Sequence, residues 1–318
     1  MNFTQLRYFL AVAEEQNVTR AAGRLYISQQ ALSGHIAKLE GELGAQLFNR
    51  TPVFSLTYAG QQLQSYASRM VNLEEELRQV FQDINHDQRG ALNIGISHTC
   101  GRAILPSILP RFCRSHPRID IAIQEDTSHR MEDALQRGKL NLMIDFAPLR
   151  LPGAVCEELL QERLFLVVPK SLMTLYYGAC YDAVVSECSR NLDLTLFEKF
   201  PFILLKSGNR VREMLNRYMD KIGFRPGAVL ETENTGTAFA LAAQGMGVAV
   251  YPELFRWCIA ADTQTQASVE FFPFRDPDTT ATLVVAHMKE HYQSRAAQDF
   301  VETCRVALEE IGKKQLSV

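Results

Sequence analysis

Apolar positions recur at helical spacing from the first residues. Leu6, Phe9, Leu10 and Ala13 fall at i, i+3, i+4 and i+7, which predicts a helix with one buried stripe. Asn17 or Thr19 can open a second helix that turns Ala21, Ala22 and Leu25 inward, and the alanine pair lets another helix approach closely. Tyr26-Ile27 reads as a short turn. Ser28 is then a good N-cap for a third helix, with Leu32, Ile36, Leu39 and Leu43 inward and Gln29, Gln30, Ser33, Gly34 and Ala37 outward. A short turn between two helices, the second showing small polar side chains near its start, is the pattern of a helix-turn-helix. The solvated face of a small helical bundle gives the same periodicity, so the pattern alone leaves both open.

Residues 58–89 carry a different signal. Leu63, Tyr66, Met70, Leu73, Leu77, Val80 and Ile84 alternate spacings of three and four, a heptad seam rather than the broader 3.6-residue stripe of a helix lying on a core. This predicts a dimerising coiled coil over an intramolecular contact. From Gly90 onward, short β-rich runs alternate with amphipathic helices, an α/β signature. Ala91–Ile96, Ile119–Gln124 and Leu140–Asp145 read as strands, with helices from about Arg102 and over Ser128–Gln136. Ligands of such open sheets bind beyond the carboxyl ends of the strands, at helix N-termini. That rule selects Ser97, His98, Thr99, Cys100, Thr127, Ser128, Phe146, Ser207 through Arg210, Asn234, Thr235 and Gly236. Hydroxyls and backbone N–H groups there suit a small anion. N-capping without a ligand accounts for any single one of these hydroxyls equally well.

Composition narrows the classes. Of 318 residues, 47% are hydrophobic and 22% charged, as in an ordinary globular chain of two or three domains. The formal net charge of −3 counts against a general nucleic-acid coat. Resolved by segment the objection weakens. Arg7, Arg20, Arg24, Lys38 and Arg50 outnumber Glu14, Glu15, Glu40 and Glu42 in residues 1–57, which carry +1, against −2 in each of 58–89 and 90–318. The start has no secretory signal, and the longest uncharged stretch, Asn234–Pro252, reads as a buried helix and strand rather than a membrane span. The seven cysteines never form CxxC, so reduced thiols in a cytoplasm are expected and no metal site is. No catalytic constellation is found: Gly-Ile-Ser97-His98-Thr lacks the second glycine of a nucleophile elbow, the histidines show no HExxH, and Gly245-Met-Gly247 is no dinucleotide fingerprint. The chain is therefore expected not to be an enzyme and to need no cofactor.

Taken together, Phe3-Thr-Gln-Leu-Arg-Tyr-Phe-Leu-Ala-Val-Ala, Ala21-Ala22-x-x-Leu25, Ser28-Gln-Gln-Ala-Leu-Ser33-x-x-Ile36-x-x-Leu39-Glu40, Leu43-Gly44-x-x-Leu47-Phe48-x-Arg50 and Leu56-Thr57-x-Ala59-Gly60 resemble the LysR-type transcriptional regulators, and the likeness spans essentially the whole chain. The resemblance implies a winged helix-turn-helix (1–57), a linker helix that dimerises (58–89) and a two-lobed α/β effector domain like the type 2 periplasmic binding proteins (90–318). Lobe I would comprise 90–162 and 268–318, and lobe II 163–267. It further implies a homotetramer built as a dimer of dimers on double-stranded DNA, a small-molecule effector, RNA polymerase as a further partner, and no membrane. The family's recognition contacts fall on Ser28, Gln29, Gln30, Ala31, Ser33 and Gly34, with Gln29 and Gln30 for base edges, Ser33 and Thr57 for phosphate, and Arg50 on the wing.

Two departures matter. Relatives often carry Arg at the position of Gly34, where glycine costs about 1 kcal/mol in mid-helix. The wing tip, Thr51-Pro52-Val53-Phe54-Ser55, is short and uncharged. Both predict weaker phosphate anchoring per subunit. Residues 171–196 exceed the usual length and suggest an inserted helical element. Cys180 and Cys188 raise a redox-responsive alternative. Peroxide-sensing relatives, however, place their reactive cysteine where this chain has Ser207-Gly208-Asn209. A two-lobed binding protein without DNA function is the remaining alternative.

Overall fold

The computed structural model describes residues 1–51, 53–84, 89–254 and 267–315. Pro52 in the wing, Cys258 and the expected linker end at 85–88 lie outside them. The chain divides into two compact units, a reading head with its long helix and a regulatory domain.

In the head, α1 (Phe3–Glu15) opens with a capping box. Asn2 Oδ1 accepts from Gln5 N at 2.9 Å, and Gln5 Oε1 accepts from Asn2 N at 2.9 Å. Helix α2 (Val18–Arg24) is capped by Asn17, not Thr19, through Arg20 N. Tyr26 takes φ 55° in the turn, and Ser28 caps α3 (Gln29–Leu43) as expected. Leu43 departs from its expected inward position and is exposed, because α3 stops there at Gly44. Phe9, Val12, Ala21, Ala22, Leu32, Ile36, Leu39, Leu47 and Phe48 form the head's core. The wing is a hairpin of β1 (Phe48–Asn49) and β2 (Ser55–Leu56), pinned by Phe54 stacked on Phe48 at 5.1 Å. Helix α4 (Tyr58–Ile84) follows. Its start lies so close to the wing that a Cβ at Gly60 would collide with the Leu47 carbonyl, so glycine is required there.

The regulatory domain is built on β3 (Gly90–Ile96), with β4 (Ile119–Glu125) and β5 (Leu142–Phe146) parallel on either side. Helices α5 (His98–Ser115) and α6 (Ser128–Gln136) make the crossovers. The 16-residue β6 (Ala154–Pro169) joins the two lobes. Its first half pairs with β11 (Thr280–Met288), which also pairs with β5. Its second half pairs with β9 (Ala249–Pro252) and β10 (Val269–Pro273). The change of partner falls between Arg163, which faces Thr280, and Leu164, which faces Pro252. The return comes later than the expected 268, because β10 still hydrogen-bonds the second half of β6. The second lobe adds the parallel pair β7 (Pro201–Leu205) and β8 (Gly227–Thr232), with α9 (Arg210–Ile222) and α10 (Thr235–Ala243). The long segment after β6 is helical, as α7 (Lys170–Tyr177) and α8 (Tyr181–Arg190), and α11 (Arg295–Gln315) closes the chain. No helix among the described residues is long and apolar enough to cross a membrane.

Candidate nucleic-acid interface and effector cleft

The first turns of α3 present Gln29, Gln30, Ala31 and Gly34 to solvent, with Ser33 half-buried beside them. Ser28 Oγ accepts from Ala31 N at 3.2 Å, which leaves its hydroxyl hydrogen free to donate outward. Thr19 Oγ1 donates to Gln29 Oε1 at 3.1 Å and so orients the amide; an amide oxygen has a second lone pair for a base. Arg50 stands on the wing, 3.9 Å from Glu40. Gln29, Ser33, Arg50 and Phe54 rim a depression of about 200 Å³ between α3 and the wing, floored by Val12, Val18, Ile36 and Phe48. Thr57 behaves differently from its expected phosphate role. Its hydroxyl donates to the Gln46 carbonyl at 2.7 Å and accepts from Gly60 N at 3.0 Å, so it fastens the wing to the start of α4. Most head cations already have partners, Arg7 on Glu74, Arg20 on Glu15 and Arg24 on Glu14 and Glu15. Among the described residues, Lys38 is the head's one lysine or arginine outside any salt bridge.

The residues expected to line an effector cleft are in varied states. Ser97 caps α5 by accepting from Cys100 N at 3.3 Å, so that helix starts at His98 rather than near Arg102. His98 is exposed, with Nδ1 3.4 Å from Glu125 Oε2. Thr99 lies in the first turn of α5, and Thr127 is exposed, its N–H donating to Asp126. Ser207 is exposed. The cap of α9 is Asn209, and Asn234 caps α10 through Thr237 N at 3.0 Å. Thr235 is buried. Phe146 departs from its expected place in a pocket, because its ring is packed in the main core. Helices α5 and α10 begin near one another: Arg102 Nη1 lies 3.2 Å from where a Cβ on Gly236 would stand.

Of Glu132, Arg210, Asp145 and Glu162, all buried in the regulatory domain, the strand-end rule selects only Arg210. Glu132 on α6 and Arg210 at the start of α9 form a salt bridge with both side chains under one-tenth exposed. Glu132 Oε1 also accepts from Arg150 N at 2.7 Å. Glu213 accepts from Arg210 Nη1 at 3.4 Å and from Arg150 Nη2 at 3.3 Å. The side chains form an open chain of alternating charge, Glu132–Arg210–Glu213–Arg150, and the Arg150 backbone N–H returns to Glu132. Beside it, Asp145 interrupts the otherwise apolar and wholly buried β5. Burial raises its carboxyl to about 6, against the opposing pull of the Ser128 hydroxyl, the Phe146 N–H and the Arg210 charge. Glu162, on β6 just before the lobe crossing, is raised to about 8 by burial, although it accepts from Leu254 N.

The amino-terminal residues 3–61 match the family described as bacterial regulatory helix-turn-helix protein, lysR family, and residues 85–309 match the LysR substrate binding domain. The chain belongs to the LysR family of transcriptional regulators. It is 28% identical over 317 residues to the uncharacterized HTH-type transcriptional regulator YcgK of Bacillus subtilis (strain 168), covering 98% of this chain and 96% of the relative. XapR of Escherichia coli (strain K12) is 29% identical over 252 residues, 79% and 82% of the two chains. The fold matches a full-length OxyR variant from Pseudomonas aeruginosa with a TM-score of 0.71 at 24% identity, covering 96% of this chain and 98% of that one. It also matches full-length CbnR complexed with target DNA, with a TM-score of 0.65 at 24% identity, over 96% and 100%.

In this LysR-family chain the linker seam is only partly covered. Tyr66, Met70, Leu73, Leu77 and Ile84 are exposed, joined by Phe81, whereas Leu63 packs on the head core and Val80 is half-buried. Exposed Cys180 and buried Cys188 are poorly placed to pair with each other. Cys180 precedes α8 and Cys188 lies in its last turn, eight residues on. At about 1.5 Å rise per residue that is about 12 Å of helix, beyond the reach of a disulfide. Burial pushes the Cys188 thiol up to about 11 and the Cys100 thiol well above its ordinary value, which disfavours the reactive thiolate. Among the described residues no group of three or more His, Cys, Asp or Glu could hold a metal ion.

Proposed function

We propose that the chain is a sequence-specific DNA-binding regulator that works as a dimer of dimers and is controlled by a small molecule in the cleft between its regulatory lobes. The observation that carries this reading is the start of α3, where Gln29, Gln30 and Gly34 stand exposed around an N-cap in a LysR-family head. Gln29 and Gln30 would read adenine edges, and Ser28, Ser33 and Arg50 would hold phosphate. The exposed apolar seam of α4 supports pairing with a second copy. Pairing heads compensates for a head whose cations are largely neutralised internally, because linked modules bind with a high effective concentration. For the effector, Arg210 and the helix starts around it offer hold for an anionic group. Ligand binding would change the lobe spacing, and with it the spacing of the recognition helices.

The redox alternative predicts that oxidation changes DNA binding, against the spacing of Cys180 and Cys188 and the burial of Cys188. A binding protein without DNA function predicts that Gln29 and Gln30 are immaterial. Footprinting the protein on its own upstream region, with wild type and with Gln29→Ala/Gln30→Ala, separates these readings. Wild type should protect an interrupted palindrome and the variant should not. Absence of protection by wild type would contradict the proposal, and protection lost on peroxide treatment would favour the redox reading.

A further inference from the structure

Asp145 is only 2% exposed, and its Oδ2 has no hydrogen-bond partner. Its hydrogen bonds come from the Ser128 hydroxyl and the Phe146 N–H. The nearby guanidinium does not neutralise it, because Arg210 directs Nη2 to Glu132 and Nη1 to Glu213. The Nε of Arg210 is itself buried and without an acceptor. A buried carboxylate oxygen lacking a donor and a buried N–H lacking an acceptor each destabilise the fold unless something satisfies them. The local charge balance points the same way, since Glu132 and Asp145 are two buried acids against one buried cation. These groups stand where the topology puts a ligand, at the carboxyl end of β5 and the starts of α6 and α9.

We propose that the interlobe site takes a small amphoteric ligand, with an ammonium group donating to Asp145 Oδ2 and an adjacent oxygen accepting from Arg210 Nε. This rests on the reading of the cleft as the effector site. It sharpens the expectation of an anionic effector, which lacks a partner for Asp145, into a requirement for both charges. A free α-amino acid has this chemistry; a simple carboxylate has only half of it.

The test uses the full chain, with the twenty protein L-amino acids and ethanolamine as amine-bearing probes and propionate and glutarate as amine-free ones. At least one amine-bearing probe should give a saturable rise in melting temperature and a calorimetric Kd. Asp145→Asn should weaken that Kd at least tenfold, and propionate and glutarate should not replace the amine. Below about pH 6 the affinity should fall about tenfold per pH unit as Asp145 takes up its proton. Should Asp145→Asn not fold, calorimetry of wild type at pH 6 in two buffers of different ionisation enthalpy still decides, because an ammonium binding ionised Asp145 must release protons. Binding without proton release, binding unchanged in Asp145→Asn, or no response to any amine-bearing probe would each overturn the proposal. DNA protection measured on the same samples keeps the outcomes apart: lost protection with ligand binding intact counts against the DNA reading alone.

Discussion

In the reading head, Arg20, Arg24 and Arg50 meet Glu15, Glu14 and Glu40 at the surface, each arginine side chain more than half exposed. In the regulatory domain, Arg210 meets Glu132 with both side chains almost sealed from solvent, and Asp145 and Glu162 lie buried nearby. The difference sets what each region can do. A surface pair is worth about 0–1 kcal/mol, so a phosphate can replace the carboxylate at little cost. A buried pair cannot be opened cheaply, because the remaining charge is left desolvated. The head therefore carries exchangeable charge suited to docking on DNA. The regulatory domain carries a buried charge pair that cannot be exchanged cheaply.

The sharpest way to break this contrast is to remove one partner on each side. Glu132→Ala should destabilise the regulatory domain by about 3–5 kcal/mol in urea unfolding, whereas Glu15→Ala should change the head by under about 1 kcal/mol. Comparable losses would mean that burial does not distinguish the two sites.

Acidity gives the next largest effect. Asp145 and Glu162 hold their protons more tightly folded than unfolded, with carboxyls raised to about 6 and about 8. Their stabilising contribution is complete below about pH 4, the unfolded range, and is lost as pH rises through those two values. Regulatory-domain stability should thus fall by on the order of a few kcal/mol between pH 5 and pH 9. Glu162→Gln should remove most of the slope above pH 6, and an unchanged slope would locate the titration elsewhere.

Two glycines of α3 sharpen the comparison within the head. A Cβ at Gly34 or at Gly41 meets nothing within 4 Å, so alanine at either should add about 1 kcal/mol of stability by chemical melting. Only Gly34 lies on the expected DNA face. Gly34→Ala should therefore alter operator affinity and Gly41→Ala should leave it alone. The smallest effect is electrostatic: Lys38→Gln should lower the salt slope of DNA binding by about 1.

The head was largely legible in the sequence because its determinants are local. Caps at Asn17 and Ser28, the core stripe through Leu6 and Phe9, and the polar start of α3 lie within a few residues of one another. The phosphate role expected for Thr57 fails because its partners, Gln46 and Gly60, meet it only once the wing folds back. Helix α5 begins four residues before the expected Arg102, because Ser97 caps it at His98. In the regulatory domain the strand-end rule reaches Arg210 but neither its partner Glu132 nor the buried Asp145. Glu132 and Arg210 are 78 positions apart, and nothing in either helix period marks them as partners. Asp145 read as the last residue of a strand, because an acid at a strand end is ordinarily solvated. It is buried where α6 packs on β5 and the Ser128 hydroxyl reaches its carboxyl, a tertiary event.

The proposed function makes DNA reading by the exposed start of α3 separable from the buried polar cluster. The most direct test is the ratio of operator affinity to random-DNA affinity at one fixed salt concentration, for wild type and for Gln29→Ala/Gln30→Ala, with the urea unfolding of the regulatory domain followed in parallel. Each good bidentate base contact is worth about 1–3 kcal/mol of discrimination, so the ratio should fall by roughly tenfold or more per glutamine while regulatory unfolding stays unchanged. An unchanged ratio in the double variant, or a ratio near one in wild type, would contradict the account.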